Sequence, residues 1–430
     1  MKDWQKGDIL IIESGKGCYL KDTKGKRYLD GVSSLWCNVH GHQVKDIDQA
    51  IKSQLGKIAH STFLGLSNVP AIQLAKELIK IVPKGLSRVF YSDSGSEAVE
   101  IALKMAFQYW QNKGEKKRTK FIRLTNAYHG DTVGSVSVGG IDLFHEIYEP
   151  LLFKTIPVSA PYRYRDSFQG TEAEYLAHCS QNLEKIIRKH ARRAAAFIME
   201  PLIQGAAGMI TQPKGYISRA RELTKKYNTL LIFDEVATGF GRTGKWFASN
   251  QERVTPDLLC VAKGLSGGYL PLSATIATEE IYRAFLGGYQ EFKAFFHGHT
   301  FTANPLACAA ALSNLQVFKK QKTLERLQPK IKQLSRRLGE FWALRHVGDI
   351  RQVGFMAGIE LVLNQKTKKP YDLEEKIGVR VILKAREKGV IIRPLGNVVV
   401  LMPPLTISSQ QFDFLLDVVY KSIREVTEGN

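Results

Sequence analysis

The chain has 430 residues, 44% of them hydrophobic and 24% charged, a length that suits two or three domains and a balance that excludes disordered and fibrous classes. Its formal charge of +20, from 61 basic against 41 acidic residues, raises the question of a polyanionic partner, but no RNA-binding aromatic signature or zinc-finger spacing accompanies the basic runs, so no nucleic acid is expected. No apolar run nears the roughly 18 residues that span a bilayer, Met1-Lys2-Asp3-Trp4 opens no signal-peptide core, and the five scattered cysteines form no C-x-x-C pair, so the expectation is a cytoplasmic protein with no membrane contact.

In chain order, residues 88–91, 121–124, 195–199, 230–233 and 258–262 are short apolar, β-branched runs that predict buried strands. Between them lie longer periodic stretches. From Glu97 onward the polar positions Glu97, Glu100, Lys104, Gln108 and Gln111 recur every three or four residues, which predicts a mostly buried helix. Lys116-Lys117-Arg118 with Lys120 follows Gly114 as a loop would, and Arg188-Lys189-His190 with Arg192-Arg193 ends an amphipathic helix, where basic residues suit the dipole. Both runs read as solvated structural features. The alternation predicts an α/β layer structure with a mostly parallel sheet. After about residue 315 the texture changes. Val353, Phe355, Ala357, Ile359 and Leu361 alternate as on a strand with one covered face, and Phe412, Leu415, Leu416, Val419 and Ile423 form a helical stripe that Ser408 and Gln411 could cap. The tail is predicted to be a smaller α+β domain.

Three features carry chemistry. Ser94 and Glu97 fit a capping box, which places Gly95 and Ser96 in a first turn whose N–H groups can hold a phosphate, although such boxes also open ordinary helices. The run 230–233 leads into Asp234 at the carboxyl end of a strand, where α/β sheets bind ligands. An acid buried there needs a cation or a strong donor facing it. The next apolar run ends in Lys263, followed by Gly264 and Gly267-Gly268, so adjacent strands bring an acid and an amine to one edge. A buried salt bridge is one account of the pair. A desolvated lysine that attacks an aldehyde is another. Together with the helix start, the pair forms the three handles of pyridoxal phosphate: an amine for the Schiff base, an acid for the ring nitrogen, an anchor for the phosphate.

Two competing motifs are weaker. Gly239-Phe240-Gly241-Arg242-Thr243-Gly244 matches G-x-G-x-x-G, but other residues separate it from the strand and no helical stripe follows, against a dinucleotide site. His40-Gly41-His42 and His297-Gly298-His299 have no carboxylate or thiol at ligand spacing, so loop and packing roles are expected and no metal.

Asp93-Ser94-Gly95-Ser96-Glu97-Ala98-Val99-Glu100, Tyr128-His129-Gly130-Asp131-Thr132, Glu200-Pro201-Leu202-Ile203-Gln204-Gly205, the segment from Asp234 to Gly244, Ala262-Lys263-Gly264 and His297-Gly298-His299-Thr300-Phe301 resemble the class III pyridoxal-phosphate aminotransferases, over nearly the whole length. Ser33-Ser34-Leu35-Trp36, the Tyr128 block and Ile392-Arg393-Pro394-Leu395-Gly396 are similar to the branch that converts 8-amino-7-oxononanoate to 7,8-diaminononanoate in biotin biosynthesis. The resemblance implies the type I fold of pyridoxal-phosphate transferases: a large cofactor-binding domain with a mostly parallel central sheet over 56–314, a small α+β domain over 315–430, and an N-terminal segment, 1–55, packed with the small domain. It also implies a homodimer with shared active sites. Lys263 would carry the cofactor and move the proton, Asp234 would pair with the ring nitrogen, Gly95 and Ser96 would bind phosphate, and Tyr128 would stack on the ring. Gly298, Thr300 and Phe301 would reach across the dimer, Thr300 to the other subunit's phosphate, Phe301 to its cofactor and Gly298 to its substrate. Arg393 would fork onto the substrate carboxylate, and Leu35 and Trp36 would line the substrate channel.

The departures concern the donor. Members that use S-adenosylmethionine carry paired tryptophans where this chain has Leu35-Trp36 and a tyrosine where it has Val400, aromatic surface that would hold a sulfonium and adenine. Leu35 and Val400 resemble a branch that takes nitrogen from L-lysine, so either donor is expected. By the same resemblance, the stretch that lies over the substrate at the N-terminus of such relatives is expected to be missing from this sequence, through a misplaced start or a true truncation. Ornithine, 4-aminobutyrate and β-alanine enzymes share the Asp234 and Lys263 motifs, which leaves another ω-amine aminotransferase as the alternative.

Overall fold

The apolar runs assemble side by side into one seven-stranded sheet in the computed structural model, which describes residues 9–141 and 146–429. Across the sheet the strands are Leu86–Ser92, Ser273–Thr278, Leu258–Val261, Leu230–Asp234, Ala194–Met199, Lys120–Leu124 and Ile156–Val158. Neighbours pair in parallel, except that Ser273–Thr278 runs antiparallel to both of its partners. Every residue of Ala194–Met199, Leu230–Asp234 and Leu258–Val261 is buried, because helices cover both faces; this is why these strands read as unbroken apolar runs. Side chains alternate between two cores: Leu230 and Ile232 pack with the helix Gly95–Asn112, whereas Leu231 and Phe233 join the core that holds the helices Glu172–His190 and Tyr216–Lys226.

A second sheet of antiparallel strands, Val347–Val353, Met356–Asn364, Val398–Leu401 and Arg393–Leu395, forms from the C-terminal part. The helix Ser409–Glu428 closes over it, with Phe412, Leu415, Leu416, Val419 and Ile423 all buried and the Ser408–Gln411 capping box formed. A hairpin of Ile12–Lys16 and Tyr19–Asp22 continues into Arg27–Asp30, and that strand pairs in parallel with Val390–Ile391. This ladder ties the N-terminal chain to the segment that precedes Arg393.

Three expectations are corrected in detail. The alternation from Val353 to Leu361 crosses a hairpin turn at Gly354 and Phe355 rather than following one strand. Gly354 has φ 58°, and an added Cβ would stand 2.3 Å from the Thr243 backbone, so the turn is pressed against the large sheet's loops. The strand beyond it is buried on both faces from Met356 to Val362, since the cluster that holds Met209 and Trp36 covers one side and the C-terminal helix core the other. Finally, Arg118 is not a solvated charge: it lies over the Trp110 ring and donates to the carbonyls of Ala191 and Ala194, while Lys116 and Lys117 remain exposed.

Candidate active site

Parallel pairing sets Asp234 directly opposite Cys260, so the chain leaving the second strand brings Lys263 to the same edge of the sheet. Lys263 opens a short 3-10 turn with φ 45°, an uncommon conformation for a residue with a side chain. Gly264 follows because an added Cβ would meet Phe240 at 2.8 Å. The two side chains line a cavity of about 400 Å³ together with Gly95, Ser96, Tyr128, His129, Glu200 and Trp36. Burial pushes the Lys263 ammonium below lysine's usual range, and the Asp234 and Glu200 carboxylates oppose that shift. The amine is held nearer to its neutral, nucleophilic form than a surface lysine.

Asp234 is fixed from two sides. Its Oδ2 lies 2.7 Å from His129 Nδ1 and its Oδ1 accepts the Val236 N–H at 3.0 Å. An ionised carboxylate can only accept, so His129 Nδ1 carries the proton of that bond. The neighbouring acid serves a different purpose. Glu235 is fully buried and accepts from the Ala248 N–H at 2.5 Å, the Ser249 N–H at 2.9 Å and the Ser249 hydroxyl at 2.6 Å, which anchors the turn after the glycine-rich segment. That segment, 239–244, forms turns and no helix, which removes the dinucleotide reading. Within it Arg242 is almost wholly buried, donating to the carbonyls of Pro403 at 2.6 Å and Trp36 at 3.3 Å.

The helix start is built as the sequence predicts. Ser94 Oγ accepts the Glu97 N–H at 3.3 Å, and Glu97 Oε2 accepts the N–H groups of Asp93 and Ser94 at 2.7 and 2.9 Å. The cap satisfies these donors and leaves those of Gly95 and Ser96, which no intrahelical carbonyl can reach, at the cavity. Gly130 packs against them with φ 124°, and a Cβ there would stand 2.0 Å from Ser96 Oγ.

Tyr128 forms the opposite wall. Its hydroxyl donates to Asp131 Oδ2 at 2.8 Å, and burial, then that bond, pushes its pKa up. Its backbone N–H donates to Glu200 Oε1 at 3.2 Å, and Glu200 Oε2 accepts from the Gly205 N–H at 2.9 Å. Complete burial pushes Glu200 up to about 7, with His129 opposing and Asp234 reinforcing the shift.

A second cavity of about 650 Å³ shares Lys263, Trp36, Tyr128 and Ala206 with the first and runs past Leu35, Val133, Val136 and Leu151 to Arg393. Trp36 is 6% exposed, and Lys263 Nζ lies 5.5 Å from its ring centre. Arg393 is exposed, and no carboxylate of the described residues pairs with it. Val400 stands across the ladder from Arg393 but is fully buried, in the apolar cluster that also holds Trp36, and lines neither cavity. Gly298, Thr300 and Phe301 are exposed and lie outside both cavities, so one chain does not bring them to Lys263. The fold does bring His299 to Asp93 and Glu97, with ligand atoms within 4.8 Å, a carboxylate pairing that linear spacing did not show. Glu97 Oε2 is already engaged by the helix cap.

Three residues that the linear sequence does not single out prove central: His129, Glu200 and Arg242. Each lay inside a quoted motif, but His129 and Asp234 are 105 positions apart, and no spacing rule connects them.

An acid and an amine on neighbouring strand ends, facing a helix start, are the constellation of an aminotransferase, and residues 2–423 match the aminotransferase class-III family. The chain belongs to that family. It is 54% identical over 427 residues to the adenosylmethionine-8-amino-7-oxononanoate aminotransferase of Aquifex aeolicus, covering 99% of this chain and 94% of that one. The crystal structure of the enzyme of that name from Methanocaldococcus jannaschii is similar with a TM-score of 0.94 at 49% identity, covering 99% and 95% of the two chains. An amine transaminase from an uncultivated Pseudomonas species, solved in its PLP-bound form, gives a TM-score of 0.94 at 36% identity, with 98% and 96% covered.

Proposed function

We propose that this aminotransferase holds pyridoxal phosphate in the Lys263 cavity and transfers an amino group to 8-amino-7-oxononanoate, giving 7,8-diaminononanoate for biotin synthesis. The observation that carries this reading is a pair of cavities joined through Lys263, Trp36, Tyr128 and Ala206, the larger of which is lined by both the depressed Lys263 amine and the Arg393 guanidinium, which no carboxylate of the described residues pairs. The donor set suits the cofactor: free N–H groups of Gly95 and Ser96 for a phosphate, Asp234 for a ring cation, Lys263 for a carbonyl. When bound, pyridoxal phosphate supplies an exchangeable carbonyl and a cationic ring that accepts an electron pair. Lys263 Nζ takes the proton from the α-carbon of the donor amine and later returns one to the product carbon. Asp234, immobilised by His129 and Val236, would hold a proton on the ring nitrogen of the bound cofactor, and Tyr128 would pack against its ring. Arg393 binds the carboxylate of the keto acid with its planar fork, while Val133, Val136 and Leu151 line the path of the methylene chain.

S-adenosylmethionine is the donor in this reading, supported by the names of the relatives. A second reading, L-lysine, rests on Leu35, whose aliphatic side chain lines the larger cavity where stacking on adenine would call for an aromatic. The exposed Gly298, Thr300 and Phe301 serve the site of a partner subunit in a homodimer, with Thr300 on its phosphate. Five unpaired cysteines suit a reducing compartment such as the cytoplasm. The test is a donor panel with 8-amino-7-oxononanoate as acceptor. Turnover with S-adenosylmethionine supports the first reading and turnover with lysine alone the second. Activity with neither would leave a general ω-amine aminotransferase.

A further inference from the structure

The channel wall that carries Leu35 and Trp36 is held in an unfavourable backbone conformation. Ser33, Ser34 and Trp36 have φ of 51°, 61° and 66°, left-handed values that residues with a Cβ adopt at a cost. Ser34, with ψ −82°, lies in the γ-turn region, which is rare and strained. Such a run persists only where its surroundings fix it. The main fixture is Asp30, whose fully buried carboxylate accepts the Val32 N–H on Oδ1 at 3.1 Å and the Ser34 N–H on Oδ2 at 2.6 Å, with the Ser34 hydroxyl at 3.3 Å. Ser33 Oγ adds a bond to the Met402 carbonyl at 2.8 Å, and Arg242 reaches the Trp36 carbonyl.

Asp30 itself lines neither cavity. It ends a strand whose parallel register sets it opposite Ile391, and the next residue, Gly31, donates its N–H to the Ile391 carbonyl at 2.8 Å. The same ladder therefore sets the strained segment on one side and, two residues past Ile391, the cavity arginine Arg393 on the other.

We infer that Asp30 is a positioning residue for substrate: by holding Val32 and Ser34 it keeps Leu35 and Trp36 at a fixed separation from Arg393, and it tunes acceptor binding without touching the cofactor. The inference rests on the reaction proposed above for its kinetic readout, and on hydrogen exchange for a readout independent of it. In Asp30→Asn holoenzyme one carboxylate oxygen becomes an N–H donor facing another donor. Amide exchange in a peptide covering residues 31–38 should accelerate, while the visible cofactor spectrum and cofactor content stay as in wild type. KM for 8-amino-7-oxononanoate should rise about tenfold with kcat changed far less, the size of one lost hydrogen bond to a charged group. Adding Ser34→Gly, which removes the side-chain cost of the left-handed conformation, should recover part of that KM. If Asp30→Asn does not fold, Ser33→Ala tests the same segment and should give the same signature at smaller size. Unchanged exchange in 31–38, or a KM that stays put while exchange rises, would overturn the inference. Wild-type enzyme inactive on this keto acid would instead count against the reaction, leaving the exchange result to judge Asp30.

Discussion

Replacing Glu200 with glutamine tests how the site is assembled, through stability rather than turnover. The carboxyl is fully buried, and its pKa rises from 4.5 to about 7, chiefly by burial. The folded protein therefore retains a proton that the unfolded chain has lost between these values, so the group carries no penalty below about pH 4.5 and destabilises the fold progressively as pH rises to about 7. At roughly 1.4 kcal/mol per pH unit the full penalty is about 3 kcal/mol. Glutamine does not titrate, but it can accept from only one of the two N–H groups, of Tyr128 and Gly205, that Glu200 serves, a loss of about 1 kcal/mol. The difference between the two proteins should change sign. Glu200→Gln should be less stable than wild type by about 1 kcal/mol below about pH 4, equal to it a little above pH 5, and more stable by about 2 kcal/mol above pH 8. The assay is urea denaturation of cofactor-free protein at fixed concentration across that range, followed by circular dichroism. Parallel stability curves, with a constant difference at every pH, would refute the reasoning, because they would mean that Glu200 titrates alike folded and unfolded.

Three further outcomes follow from the geometry. Asp234→Asn removes the carboxylate that His129 holds at 2.7 Å and that would keep the ring nitrogen protonated, and it should lower kcat roughly 10²- to 10³-fold, about 3–4 kcal/mol of barrier, measured in single-turnover half-reactions. Arg393→Ala should raise KM for the keto acid about 10- to 100-fold with the cofactor spectrum intact, since it removes a charge-assisted contact from a residue that lines the larger cavity and not the smaller one around Gly95, Ser96 and Asp234. Gly130→Ala places a methyl 2.0 Å from Ser96 Oγ on a backbone of φ 124°. Reconstitution titrations should show cofactor affinity falling about tenfold or more, as one phosphate bond is lost.

What the sequence made legible follows from how the sheet is covered. Strands buried on both faces carry continuous apolar runs, and the predicted 195–199, 230–233 and 258–262 lie within a residue of the observed bounds. Ser273–Thr278 escaped because its residues are small and hydroxylated. Its polar groups are satisfied inside the sheet, Ser273 by Ser92 and Thr275 by the Ala98 carbonyl. Asp234, Lys263 and the Ser94 cap were readable because strand ends and helix starts have local signatures. The partners that fix them were not. His129 reaches Asp234 and Glu200 reaches Tyr128 only across the folded sheet, and Arg242 sat within a pattern that suggested a different ligand while its guanidinium bridges Trp36 and Pro403. Val400, which the resemblance links to the choice of donor, is buried in the apolar cluster that also holds Trp36 and lines neither cavity.

The most direct measurement reduces cofactor-loaded enzyme with borohydride, digests it and maps the labelled peptide by mass spectrometry. The account predicts a single pyridoxyl adduct on Lys263. An adduct on any other lysine, or none from fully loaded enzyme, would contradict it.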